Sequence, residues 1–288
     1  MAIKHRKMRY GGMRMLSLFA CLFISVGLFA QAGKYDRSKE IGLHAGTAYY
    51  LGEINPYRHF GGKLRFSGGL SFRNNFDRRW TLRLGFLYGQ VEAWDKDSDD
   101  PWRRNRNLNF RNQFYEGSAL VELNFVDYQI GSEDWITPYL FTGLSYYSMN
   151  PQGNVNDSWK PLQPAGTEGQ GLPDNDPVYR TTGLAIPAGV GLRMNLFAIF
   201  GLSLEWGIRR TWTDYFDDVS GVYPDPNLLI NERSRLTARL SDQSLLPELS
   251  DGTNKGLQRG DPGRKDLYFF VTGALTIRID KKANSCWK

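Results

Sequence analysis

From about residue 40 onwards the chain alternates, setting apolar side chains on every second position against small or polar ones between them. Period two marks a strand whose two faces meet different surroundings. Eight such stretches stand out, at 40–51, 63–73, 80–94, 108–125, 136–149, 182–196, 201–213 and 267–279. In the first, Ile41, Leu43, Ala45, Thr47 and Tyr49 oppose Gly42, His44, Gly46 and Ala48. In the sixth, Leu184, Ile186, Ala188, Val190, Leu192 and Met194 oppose Pro187, Gly189, Gly191 and Arg193. The fourth changes phase between its halves, which predicts a β-bulge near Gln113.

The connectors alternate as well. Segments 74–79, 126–135 and 195–200 are short, whereas 52–62, 95–107, 150–180 and 214–266 are longer. Strict short–long alternation over eight strands predicts an all-β fold, an eight-stranded antiparallel up-and-down transmembrane barrel of the outer-membrane type. Long loops then face outward and both termini lie in the periplasm. Segment 150–180 is rich in Pro, Gly, Asn and Asp and reads as irregular loop. Segment 214–266 has the signals of a helix: Asp225 as cap, Pro226 in the first position, and Leu229, Leu236 and Leu240 near one face. A soluble lipocalin-like barrel would put the large apolar set inside. Here glycines share a face with the charges, which places the small and charged face within.

Ahead of the alternating region, Lys4, Arg6, Lys7, Arg9 and Arg14 precede an uncharged apolar run, and Ala30-Gln31-Ala32 offers a small-x-small cleavage pattern. Residues 1–32 read as a cleaved signal peptide, with 33–288 as the barrel. That changes the charge picture. The formal net charge is +6, five of the basic residues fall in 1–32 with no acids, and the remainder is near +1. The basic balance therefore makes no case for nucleic acid. Cys21 leaves with the signal, and Cys286 alone has no internal partner.

An eight-stranded barrel is only wide enough for its side chains to fill. The charges predicted inside are Arg65, Arg83, Glu116, Glu122, Glu205, Arg209 and Arg278, and opposite charges confined there should pair and plug the bore. Trp80, Trp94, Trp135, Tyr139, Tyr146, Tyr147, Trp206, Trp212 and Tyr268 lie near strand ends, where interfacial girdles are expected. Asp95, Asp97, Asp99 and Asp100 have part of the spacing of a calcium loop but lack its turn glycine and distal glutamate, so a solvated loop is the plainer reading. Asp214, Asp217 and Asp218 form a second acidic group. After signal removal only His44 and His59 remain, and although Ser67 or the aspartates could approach His59, no spacing marks a triad. No phosphate loop, zinc spacing or dinucleotide motif is present, so neither cofactor nor enzymatic chemistry is expected.

Several stretches together carry a family signature. They are Ala45-Gly-Thr-Ala-Tyr-Tyr-Leu-Gly-Glu-Ile-Asn-Pro-Tyr57, Leu82-Arg-Leu-Gly-Phe-Leu-Tyr-Gly89 with the acidic run after it, Tyr139-Leu-Phe-Thr-Gly143 and Met149-Asn-Pro-Gln-Gly153. Further along come Leu162-Gln-Pro-Ala-Gly-Thr-Glu-Gly-Gln-Gly171, Leu204-Glu-Trp-Gly207, Thr211-Trp-Thr-Asp-Tyr215 and Gln258-Arg-Gly-Asp-Pro262. In these stretches the chain resembles the PorG-like family of outer-membrane barrels of the bacterial type IX secretion system, and the resemblance implies a non-enzymatic anchor in the outer membrane for a periplasmic ring of PorK- and PorN-like partners. An anchor of that kind would dock through its short turns and tails, where Asp77, Arg78, Arg79, Asp127, Glu133, Asp134, Lys281 and Lys282 supply charge. The alternatives are a small surface barrel acting in adhesion or envelope stability, or a lipid-modifying barrel enzyme.

Overall fold

The computed structural model describes residues 37–60, 63–173, 175–247 and 252–280. The expected signal segment, Lys281, Lys282 and Cys286 lie outside the described residues. Eight strands form the wall: β1 (Ser38–Leu51), β2 (Arg65–Asn75), β3 (Trp80–Trp94), β4 (Asn109–Asn124), β5 (Ile136–Val155), β7 (Thr182–Asn195), β8 (Phe200–Thr211) and β9 (Leu267–Arg278). Each pairs antiparallel with its neighbours, β9 joins β1, and the β4–β5 pairing completes the ring. The result is a closed eight-stranded antiparallel barrel with up-and-down order.

Register fixes its shape. Ser38 pairs with Asn75, Asn75 with Thr81, Thr81 with Glu122 and Glu122 with Phe141. Phe141 pairs with Gly189, Gly189 with Gly207, Gly207 with Phe270 and Phe270 with Ala48. One circuit thus climbs from Ser38 to Ala48, ten residues along β1. With strands about 4.8 Å apart and rising about 3.4 Å per residue, that stagger tilts them by about 40°. The bore is correspondingly narrow.

Polarity is inside-out through most of the wall. Ile41, Leu43, Phe66, Leu70, Leu84, Phe86, Leu144 and Leu204 point outward and are exposed. His44, Ser71, Arg73, Arg83, Glu122 and Glu205 point inward and are buried. Toward the long loops this reverses. Val91, Phe110, Phe114, Tyr147 and Phe270 fill the inside with Phe216 from the last loop, while Arg111 bonds Gln152 on the outside at 2.5 Å.

This reversal corrects the expected bulge at Gln113. β4 keeps one register with β3 from Trp80↔Leu123 to Trp94↔Asn109, and one with β5 throughout. The apparent change of phase reflects a change in what the interior holds, with no change in side-chain direction. A one-residue slip does occur at the rim between other strands, where Ser67 pairs with Gly89 but Lys63 with Glu92.

The loops also differ from expectation. β5 runs on to Val155 and turns through Asn156 and Asp157, both at positive φ, into a short β6 (Ser158–Pro161). Consecutive left-handed residues suit the tight turn of a two-residue hairpin, so the start of segment 150–180 is ordered strand. The last loop holds two short helices, α2 (Pro226–Glu232) and α3 (Arg235–Ser241), where one was expected. Asp225 caps the first as expected, but Ser234 starts a new cap by accepting from Thr237 N at 3.1 Å. Leu229 and Leu240 are buried, whereas Leu236 turns outward. A further helix, α1 (Pro101–Arg106), is capped by Asp100 in segment 95–107.

At the other end, segment 126–135 tucks inward and buries Tyr128 and Ile130. Gly131 makes this possible: its φ is +84°, and a Cβ there would stand 2.3 Å from the Ala198 carbonyl oxygen. Within the bore, Gly189 lies under the Phe141 ring, and a Cβ would meet Phe141 at 2.4 Å and the Trp206 carbonyl oxygen at 2.5 Å. Gly117 has nothing within 4 Å of that position. Gly189→Val should therefore lower stability by about 1–3 kcal/mol or more, and Gly117→Ala by less than about 0.5 kcal/mol. Urea unfolding of the detergent-folded protein measures both.

Candidate functional site

The bore is closed by charge. Glu122 on β4 receives Arg73 from β2 (Nε to Oε2, 3.3 Å), Arg83 from β3 (Nε to Oε1, 2.9 Å) and Arg193 from β7. Glu205 on β8 receives Arg73 at 2.9 Å, Arg83, and the Tyr139 hydroxyl at 2.5 Å. All of these side chains are buried. Glu116 and Arg209 pair in a separate cluster nearer the long loops, at 3.3 Å, with the Tyr268 hydroxyl donating to Glu116 at 2.7 Å. The structure brings Arg83 together with Glu122 and Glu205, and Arg209 with Glu116. Sequence reasoning omitted Arg73 and Arg193 from the charged set, although Arg193 shares the inward parity of Gly189 and Gly191.

One expected interior charge lies elsewhere. Arg65 is half-exposed at the rim, paired with Glu92 beside Lys63. The register slip there turns Glu92 toward it. Arg278 keeps the expected inward parity at the short-turn end, its side chain nearly buried and bonded to Asp280 at 2.8 Å and to the inward-tucked Ile130 carbonyl at 3.1 Å. Three residues expected in the aromatic girdles are also corrected. Tyr139, Tyr147 and Tyr268 have inward parity and are buried in the barrel, whereas Trp80, Trp135, Tyr146, Trp206 and Trp212 are exposed outside.

The short-turn end carries an ordered set of charges. Asp77 Oδ1 accepts from Arg79 N and Trp80 N, both at 2.7 Å, which fixes the 74–79 turn. Arg79 bridges to Asp127 at 2.9 Å, and Arg78 to Asp134 at 3.8 Å. Two turns are thereby linked, with Arg78, Arg79 and Glu133 exposed. Phe76, Trp135 and Phe197 are exposed beside them.

The long-loop end is a dome over the mouth. Phe216 stacks on Tyr268 at 5.1 Å and meets Phe114 edge-on at 5.3 Å. Arg259 holds Glu168 at 2.7 Å and the Asp218 carbonyl, and Arg106 holds Asp95 at 2.6 Å and the Arg259 carbonyl at 2.6 Å. Within the acidic run Asp95 is buried against Arg106, while the solvent-exposed Asp99 pairs with Arg58 and Asp100 with Arg103 and its helix cap. The two acidic groups do not merge. Asp214 pairs with Lys265, Asp218 accepts from Thr167 and Tyr179, and Asp217 joins Glu53 and Asp266 under the dome.

His44 is buried in the wall and shares a 2.9 Å hydrogen bond with Ser71. His59 folds down the outer rim against Tyr49 and Phe269, 3.3 Å from the Tyr49 hydroxyl. Ser67, weighed as its partner, is buried in the wall. The histidines, serine and aspartates are therefore not assembled into a triad among the described residues.

A protein-family model described as "Domain of unknown function (DUF6089)" matches residues 14–233. The chain belongs to that family. No curated protein matches it. Among solved structures it is similar to the neisserial surface protein A, NspA, at 11% identity and a TM-score of 0.40 over 85% of this chain and 99% of that one. It is similar to the attachment invasion locus protein Ail of Yersinia pestis at 9% identity and a TM-score of 0.38, over 85% and 100% of the two chains. Outer membrane protein OprG of Pseudomonas aeruginosa matches at 11% identity and a TM-score of 0.37, over 84% and 98%.

Two outcomes follow from this geometry. Glu122→Ala strips three buried arginines of their shared partner, and an uncompensated buried charge of this kind costs about 3–5 kcal/mol, which a shift of the urea midpoint will show. Under the dome, burial pushes Asp217 up to about 7; burial and then the charge of Asp217 push Glu53 up to about 9. Asp266 is raised by burial and by both neighbours. Tyr50, Arg106, Arg259 and Arg264 also face the cluster. Folding thus favours the neutral acids. Their contribution is full below the ordinary carboxylate range of about 4 and is lost as pH climbs through these raised values. Protease cleavage within 214–266, in chelator-containing buffer, should accelerate from about pH 5 to about pH 9.

Proposed function

We propose that this DUF6089-family chain is an integral outer-membrane barrel that anchors the periplasmic ring of a type IX secretion machine and does no chemistry of its own. Its short turns and both termini face the periplasm in this reading, and its long loops face outward, as the usual loop asymmetry favours. The ring partners are PorK- and PorN-like proteins.

One observation carries this reading. Charge pairs fill the bore and a loop dome covers its mouth, so the barrel offers its end surfaces where a channel would offer a lumen. The short-turn end supplies what docking needs: turns cross-linked by Arg79–Asp127 and Arg78–Asp134, charges of both signs, and exposed apolar side chains beside them. Such a patch gives orientation and specificity to a polar interface. The sequence resemblance to PorG-like barrels supports the choice of partner.

The test is made in cells. Pull-down of the detergent-extracted barrel should recover both ring components. The double substitution Arg78→Glu with Arg79→Glu should cut that recovery by about tenfold, the effect of about 1.4 kcal/mol at the interface, while the barrel still folds. Deletion of the protein should abolish export of the secreted cargo. Normal export in a clean deletion strain without a second copy would overturn the proposal.

A further inference from the structure

The dome hides a cluster that the anchoring role leaves unused. Glu53 follows β1, Asp217 follows β8, and Asp266 immediately precedes β9. Their carboxylate oxygens nevertheless lie within 4.8 Å of one another, and all three residues are buried. We propose that Glu53, Asp217 and Asp266 form a binding site for a hard divalent cation, calcium, that clips the first and last long loops to the barrel rim.

The aspartates are held in place by the backbone. Asp217 Oδ1 accepts from Val219 N and Asp266 Oδ2 from Phe216 N, each at 2.9 Å. The Tyr50 hydroxyl stands between the other two oxygens, 3.0 Å from Asp266 Oδ1, and has one proton for both. Glu53 is different. It is 6% exposed, no Lys or Arg pairs with it among the described residues, and beyond its own backbone N–H its carboxylate oxygens meet only Asp266 and Asp217. A buried carboxylate turned toward two others, with no cation paired to it, is a costly arrangement unless something positive joins it.

The nearby cations are committed elsewhere. Arg106 is bound to Asp95, Arg259 to Glu168 and Lys265 to Asp214, and Arg264 donates to the Pro56 carbonyl at 3.0 Å. One divalent ion would cancel two of three negative charges, leaving a remainder that the Arg106 and Arg259 fields offset. The donor set is all oxygen, which selects calcium or magnesium over zinc or copper. Side chains drawn from separate loops suit the larger calcium ion with its irregular coordination. Magnesium demands tight octahedral geometry and keeps its waters. The acidic run at 95–100 offers the contrast, since arginines or helix ends already satisfy Asp95, Asp99 and Asp100. Carboxylate ligands bind a cation in their deprotonated form, so calcium affinity falls as pH is lowered.

Calorimetric titration of the whole detergent-folded protein with calcium chloride, and separately with magnesium chloride, tests this. One calcium per chain should bind with a Kd on the order of 10⁻⁴ M near neutral pH. Affinity should fall at least about tenfold toward pH 5, through proton competition. Glu53→Gln should lose at least about tenfold in calcium affinity and, in chelator, should resist trypsin within 214–266 as well as the parent does. Calcium should slow that cleavage in the parent alone. Absence of saturable binding up to about 10 mM, equal binding by Glu53→Gln, or preference for magnesium would each overturn the assignment. If Glu53→Gln does not fold, Asp266→Asn replaces it, and the parent's stoichiometry and pH dependence decide independently.

Discussion

A closed β-wall gives each side chain one of two directions, and a strand that keeps its register cannot exchange them. The surroundings of this wall do change along its length, however. An apolar belt and a charged bore occupy its middle, and polar outer positions and an aromatic filling occupy the long-loop end. β4 passes through both zones on one parity, placing Phe110 and Phe114 and then Glu116 and Glu122 on the same inner face. The rest of the architecture answers this constraint. The inner face needs charge partners where it is polar and a lid where it is apolar, and the arginine network and the loop dome provide them.

The two ends of the bore meet that need differently. In the middle, Arg73, Arg83 and Arg193 converge on Glu122 and Glu205, so each carboxylate has more than one cation. Such pairing yields little net stability over an apolar filling but makes any single loss expensive. Under the dome the balance is reversed, with carboxylates in excess of the cations assigned to them. The bore is therefore a static plug, whereas the dome's acids respond to protons and, on our proposal, to calcium. The short-turn end is stiffened by side chains that also remain on view, which on our proposal serves docking.

The wall was legible because lipid-facing and bore-facing selection acts on alternate residues, and the alternation survives in a single sequence. Its reading failed where the surroundings change. The switch from aromatic to charged filling in β4 mimicked a bulge. Tyr139, Tyr147 and Tyr268 looked like interface residues because position along a strand was weighed above parity. Asn156-Asp157 hid a hairpin inside a stretch whose composition suggested irregular loop, and Ser234 broke a helix that leucine spacing joined. The dome was the least legible part. Glu53 is a lone acid in its segment, and its meeting with Asp217 and Asp266 depends on closure of the ring. Among the charges of the short-turn end, only the identity of the turns was readable, not the bridges from Arg78 to Asp134 and from Arg79 to Asp127.

The placement of Asp266 and Tyr268 at the start of β9 bears on how the molecule is made. β9 is the last of the wall strands along the chain, and its pairing with β1 is the seam that shuts the ring. The stacking surface for Phe216 and the third acid of the dome thus arrive with the seam itself. The dome's packing and the closure of the wall therefore draw on the same short stretch of chain, residues 266–270. The finished dome is in effect a seal over the seam, made from the residues that flank it.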